Sequence, residues 1–167
     1  QNLYVNTGTN CLHVLDVEAA TTYYVQGLHP LVQGVLVGTT HCIVALDTLG
    51  QLHCYKRPQT PGEQQALLWA TSLGAGGSSP IIKQFGNELL VAVNNILYSL
   101  QEDTGEIRWQ VQLGAIVGFA PFNGFAHVLT QSALLQVSLE LTPAKRVTFS
   151  VPLPNIPLSG NPTASIE

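Results

Sequence analysis

Two histidine–cysteine pairs, His41-Cys42 and His53-Cys54, flank the tight turn Asp47–Gly50. By residue type they are the side chains of this chain best suited to hold zinc. Their spacing argues against it. Neighbours on one strand point to opposite faces, so the four do not converge on one ion without a bulge. No metal ligand is assigned. The hairpin places Cys42 and Cys54 within one position of cross-strand register, an offset that puts them on opposite faces. With Cys11 the cysteine count is odd, which does not suit a disulfide framework, so buried free thiols are expected.

Acid–base chemistry needs carboxylates in an apolar setting. Glu102, Asp103 and Glu106 instead cluster at a turn and read as solvated turn residues. Asp16 and Asp47 end strands at similar places and read as Asx caps. None has a histidine or nucleophile at a spacing that suggests a triad. Ser78-Ser79-Pro80 resembles the small-residue entry to a strand and not a nucleophile elbow. No catalytic residue is named.

The elements that carry these residues are strands. From Asn95 to Gly114, Ile107, Trp109, Val111 and Leu113 alternate with Arg108, Gln110 and Gln112, giving one apolar and one polar face. Asp103-Thr104-Gly105-Glu106 supplies a turn, with Thr104 and Gly105 at its centre, and Ile96–Leu100 is the preceding strand. The hairpin recurs. Trp69 lies 40 residues before Trp109 and Phe149 lies 40 after it, with Tyr24 45 before Trp69. Each aromatic is followed four residues later by a leucine on the same strand face: Leu28, Leu73, Leu113 and Leu153.

Each period holds about four short strands. The first copy shows three, Leu3–Asn6, Cys11–Val17 and Thr21–Leu28, and is read as lacking its innermost. The second runs Leu31–Val37, His41–Asp47, Gln51–Lys56 and Ala66–Leu73, with Arg57–Gln65 as its long loop. The third runs Pro80–Phe85, Glu88–Val93, Ile96–Gln101 and Ile107–Leu113. The fourth runs Ile116–Pro121, Phe125–Thr130, Ala133–Glu140 and Arg146–Leu153. The tail Asn161–Glu167 reads as one further innermost strand. No 3.6-residue period survives long enough to predict a helix.

Such spacing predicts an all-β fold, a β-propeller with four visible four-stranded antiparallel blades at about 1–28, 29–74, 76–114 and 115–153, and an extra innermost strand at 160–167. A β-sandwich is the alternative. The pattern Ser-x-Gln-x-x-Thr-Gly-x-x-x-Trp from Ser99 to Trp109 resembles the Ala-x-Asp-x-x-Thr-Gly-x-x-x-Trp repeat of the quinoprotein-like β-propellers, with Ser99 and Gln101 as departures. The resemblance implies that Tyr24, Trp69, Trp109 and Phe149, with their leucines, dock each blade on the next. Enzymes of that family hold pyrroloquinoline quinone and calcium with adjacent cysteines, a Glu, an Asn and a catalytic Asp. This chain has no Cys-Cys pair and no such acidic set, so no cofactor is expected.

Composition narrows the function. The chain is 46% hydrophobic and only 10% charged, with six Lys plus Arg against ten Asp plus Glu, a net charge of −4 and no basic stripe. Nucleic-acid binding is not expected. No apolar run approaches the roughly 20 residues of a membrane helix, and Gln1 begins in a strand-like segment as in a processed chain or a piece of a longer one. A low-charge surface rich in Gln, Asn and Thr, with the family resemblance, favours a secreted or periplasmic location. The leading expectation is a non-catalytic scaffold that binds protein partners or itself, through Arg57–Gln65 and Pro154–Gly160. The alternative is part of a quinoprotein-like dehydrogenase, or of a glycan-processing or glycan-binding propeller, whose site lies outside this chain. The tail either closes a four-bladed ring or opens a fifth blade of a larger assembly. The larger assembly is favoured, and residues 1–167 are expected to self-associate.

Overall fold

Segments of five to seven residues, apolar on one or both faces and punctuated by Asp, Asn and Gly, fold as strands. The computed structural model describes residues 2–6, 11–26, 32–39, 41–60, 63–74, 80–140 and 146–154. Strands β1 (Asn2–Asn6), β2 (Cys11–Asp16) and β3 (Thr21–Gln26) form a first sheet. The second holds β4 (Val32–Gly38), β5 (Cys42–Asp47), β6 (Gln51–Lys56) and β7 (Leu67–Ser72). The third holds β8 (Ile81–Phe85), β9 (Glu88–Val93), β10 (Ile96–Gln101) and β11 (Ile107–Gln112). The fourth holds β12 (Ile116–Phe122), β13 (Phe125–Thr130), β14 (Ala133–Ser138) and β15 (Val147–Pro152). Every sheet is an antiparallel meander in chain order. Tight turns make this possible. Between β12 and β13, Asn123 and Gly124 both take positive φ, 48° and 76°, as the commonest two-residue hairpin turn requires.

β1 lies beside β4, β4 beside β8, and β8 beside β12, so the first strands of the four sheets form an inner row. The sheets stack on one another through their faces. One apolar cluster joins Val44, Leu46, Leu52 and Leu73 of the second sheet to Leu89, Val91, Tyr98 and Leu100 of the third. A second joins Leu90, Leu97 and Trp109 of the third to Phe119, Val128 and Val137 of the fourth. Middle strands are therefore covered on both sides. This is why β5 and β9 read as nearly unbroken apolar runs, CIVALD and ELLVAV, and not as alternations.

The 40-residue repeat has a structural counterpart. Trp69 opposes Cys54, Trp109 opposes Ser99 and Phe149 opposes Gln136, and in all three sheets the ladder slips by one residue at that rung. A bulge there increases the local twist of the outermost strand. Four residues on, the N–H groups of Leu73, Leu113 and Leu153 donate to the carbonyls of Gly50, Asn95 and Ser132 at 2.9, 2.7 and 2.9 Å. The same hydrogen bond thus closes the same corner three times. Ser99, a departure from the usual Ala, is fully buried, and its hydroxyl donates to Glu88 Oε2 at 2.7 Å.

The first sheet corrects the reading of its missing strand. Because β1 stands beside β4 in the inner row, the place without a strand among the described residues is the outermost, not the innermost. Asp16 ends β2 as Asp47 ends β5, so β3 matches β6, and Tyr24 lies on β3, the third strand and the outer edge of this sheet among the described residues. Leu28 and the supposed strand at 160–167 lie outside the described residues.

Candidate functional site

Asp47 and His53 share the face of the second sheet opposite to Cys54. His53 pairs with Ala45, two residues before Asp47, so the two polar side chains are diagonal neighbours. His53 Nε2 lies 3.0 Å from Asp47 Oδ2, and both residues are buried. Asp47 Oδ1 accepts the N–H groups of Leu49 at 2.9 Å and Gln51 at 2.8 Å, the Asx geometry expected of it. Burial alone would raise the Asp47 pKa, but the hydrogen bonds from His53, Gln51 and Leu49 outweigh it and hold the carboxyl below its usual range. The His53 ring also stacks on Tyr55 at a centroid distance of 6.0 Å. The Asp–His pair escaped the sequence reading, although a diagonal position across a four-residue turn was the signal for it. Its neighbour Cys54 faces the other way, so the pair has the geometry of a structural lock and not of a Cys–His couple.

Cys42 and Cys54 correct the expected register. Cys42 opposes Lys56 and Cys54 opposes Val44, an offset of two that puts both thiols on the same face. Both are free and fully buried in the cluster between the second and third sheets. Their mutual hydrogen bond and burial push the Cys54 thiol well above its ordinary pKa. His41 is exposed while His53 is buried on the opposite face from the cysteines, and among the described residues no group of His, Cys, Asp and Glu could hold a metal. Among the described residues nothing corresponds to the adjacent cysteines and acidic set by which quinoprotein enzymes hold quinone and calcium. The cysteines are on separate strands, and the one buried acid of the Glu102 turn is already hydrogen-bonded.

That acid is a further correction. Asp103 and Glu106 are solvated as expected, but Glu102 is only 2% exposed. Its carboxylate accepts Gln84 Nε2–H at 2.9 Å and the His41 N–H at 3.4 Å. Its carbonyl accepts the indole N–H of Trp69 at 2.8 Å. The preceding blade covers the turn, which no local sequence pattern reveals. His41, Asn87, Glu102 and Asp103 line a cavity of about 260 Å³ on this rim.

Trp69 meets the turn at Gly105, whose φ is +71°. A Cβ there would come within 2.6 Å of Trp69 Cδ2 and 2.7 Å of Thr71 Oγ1. Thr71 Oγ1 donates to the Gly105 carbonyl at 2.7 Å, and Thr104 Oγ1 accepts the Glu106 N–H at 3.3 Å. Tyr98 OH donates to the Leu73 carbonyl at 2.6 Å across the same junction. Trp109 is buried in the next junction, with the Arg146 guanidinium 4.0 Å above its ring. Leu73 is buried in the junction between the second and third sheets, and Leu113 is partly buried in that between the third and fourth. Phe149 and Leu153 differ: they are 58% and 37% exposed. The side chain of Tyr24 lies outside the described residues.

The loop after β6 lies on the Glu102 rim, since both connect third to fourth strands. Among its described residues, Glu63 accepts the Gln59 N–H at 2.8 Å and a hydrogen bond from Lys56 Nζ at 3.2 Å. Gln65 Nε2 donates to the Lys56 carbonyl. Pro154 is exposed, and 155–160 lie outside the described residues.

Stacked four-stranded meanders around an inner row of strands define a β-propeller, here present as consecutive blades. Solved structures agree. BamB from Moraxella catarrhalis superposes with a TM-score of 0.66 at 11% identity, over 90% of this chain and 49% of that one. A chain of the mitotic checkpoint complex gives 0.69 at 14%, over 90% and 47%, and the WD40 domain of Toxoplasma gondii coronin 0.65 at 11%, over 90% and 42%. The chain spans about half the length of the solved chains it matches. Neither a protein-family model nor a curated protein matches the sequence. Among the described residues no helix is long and apolar enough to cross a membrane.

Proposed function

We propose that this chain is a non-catalytic scaffold of the quinoprotein-like kind, with blades at about 1–28, 29–74, 76–114 and 115–153, that binds protein partners at the rim carrying the Arg57–Gln65 loop. In this reading Trp69 and Trp109 are the inter-blade docking residues, and the buried polar groups serve the architecture. The observation that carries it is the rim itself, where the loop in which Glu63 accepts the Gln59 N–H stands on the side of the acidic cavity of Glu102 and Asp103. Elsewhere Asp47, His53, Cys42 and Cys54 are shut inside the stack. Loops on a rigid frame are where recognition concentrates. The likeness to solved propellers supports the frame. The test is partner recovery by the intact chain and by one with Arg57–Gln65 replaced with a Gly-Ser linker of equal length. Specific partners should be lost with the loop, and unchanged recovery would remove the rim from the account.

A further inference from the structure

The cavity on the Glu102 rim has one wall withdrawn from water. His41, Asn87 and Asp103 are exposed whereas Glu102 is 2% exposed, so a group entering past solvated side chains meets a buried carboxylate. That carboxylate is held in place. Gln84 Nε2 donates to one oxygen at 2.9 Å and the His41 N–H to the other at 3.4 Å, while the Glu102 N–H donates to the Asn87 carbonyl at 3.0 Å and ties two turns together. Its capacity is not filled. A carboxylate accepts about four hydrogen bonds, and the two it receives among the described residues come from neutral donors. No Lys or Arg among the described residues lines the cavity: Lys56 is paired with Glu63, Arg108 with Glu88, and Arg146 lies over the Trp109 ring. A carboxylate held out of water with no opposite charge beside it favours whatever supplies one.

We propose that this cavity binds the guanidinium group of an arginine side chain presented by a protein partner. The proposal rests on the scaffold reading, whose rim it occupies, and names the chemistry recognised there. Size, ligand count and geometry each narrow the occupant. At about 260 Å³ the cavity is smaller than the roughly 300–1,000 Å³ of pockets that enclose whole small molecules, and it suits the tip of one side chain. Among the described residues no three of His, Cys, Asp and Glu stand close enough together for a metal ion, so the cation is organic. The acceptors are spread over two adjacent carboxylates and the Asn87 side chain, on two turns. A planar fork of five N–H donors meets such a spread better than the point charge of lysine, and a guanidinium is the more weakly hydrated of the two. Trp69 clamps the same turn through its bond to the Glu102 carbonyl and its contact at Gly105, so little freedom is lost on binding.

Titration of the intact chain with the peptide acetyl-Gly-Arg-Gly-amide, followed by amide chemical shifts, tests this. Saturable shifts at Asn87, Glu102, Asp103 and their neighbours are expected at millimolar peptide. The citrulline peptide, which keeps the shape and loses the charge, and the lysine peptide should each bind about tenfold or more weakly. Glu102→Gln, which keeps an acceptor for Gln84, and separately Asp103→Asn, at an exposed position that the fold does not depend on, should each weaken the arginine peptide about fivefold or more. Glu106→Gln removes the same charge from an exposed position of this turn outside the lining, and should leave binding unchanged. Absence of a saturable shift, citrulline or lysine binding as well as arginine, or an equal loss in Glu106→Gln would overturn the proposal. The peptide reads the cavity and the loop replacement reads partner recovery, so failure here and failure of the scaffold reading are separable.

Discussion

Gly105 carries two constraints at once, a left-handed backbone and a ring lying where a side chain would go. Gly86 has the first without the second: its φ is +59° and nothing stands within 4 Å of a Cβ built on it. Gly86→Ala should therefore cost only the conformational term, about 1–2 kcal/mol. Gly105→Ala should add an overpacking cost of about 1–3 kcal/mol, and urea unfolding of the pair isolates the Trp69 contact. Asp47 makes a prediction in pH. Its folded pKa is lowered, so its contribution is complete above the unfolded value of about 3.9 and is lost as pH falls through the lower folded value. Unfolding at pH 7 and pH 3 should show a steeper acid loss for the parent than for Asp47→Asn, which is destabilised at neutral pH. Equal slopes would detach Asp47 from the acid limb. At this scale the sequence was legible where the partner is local, as in the Asx turn of Asp47. It was misleading at Glu102, because the ring that covers its turn belongs to Trp69, 33 residues away. It was misleading at Cys54 too, because a register error of one residue reverses a face.

The outermost strands differ in what covers them. Trp69 donates a hydrogen bond and packs on the next sheet, so Trp69→Ala should cost about 3–5 kcal/mol. Phe149→Ala should cost less than about 1 kcal/mol because 58% of the residue is already in water. Thermal unfolding of the two variants side by side checks this, and equal losses would refute the difference in role. Strand positions were legible to within a residue or two because turn residues punctuate them. The repeated ladder slip was not, since a bulge at Ser99 or Gln136 leaves no mark in the apolar period. The missing strand of the first sheet was misplaced for a related reason. Tyr24 satisfied an aromatic spacing, while the decisive signal, Asp16 standing for Asp47, lay in the turns.

At the level of the whole molecule, the recurrence of hairpins made the propeller legible, and solved propellers share its fold. The rim cavity was not legible, because it is built from three turns of two different blades. The stacking has a consequence for the order in which the molecule comes apart. β9 and β10 are covered on both faces, whereas every residue of β15 is exposed. A row of units held by nearest-neighbour contacts opens first at its least covered unit. Amide hydrogen exchange of the dilute chain should therefore be graded by blade: fastest in Val147–Pro152, intermediate in β13 and β14, slowest in Leu89–Val93 and Leu97–Leu100. A uniform rate would mean that the blades open as one cooperative body. A gradient would mean that the fourth blade opens many times, exposing the face of Trp109, for each time the centre opens once.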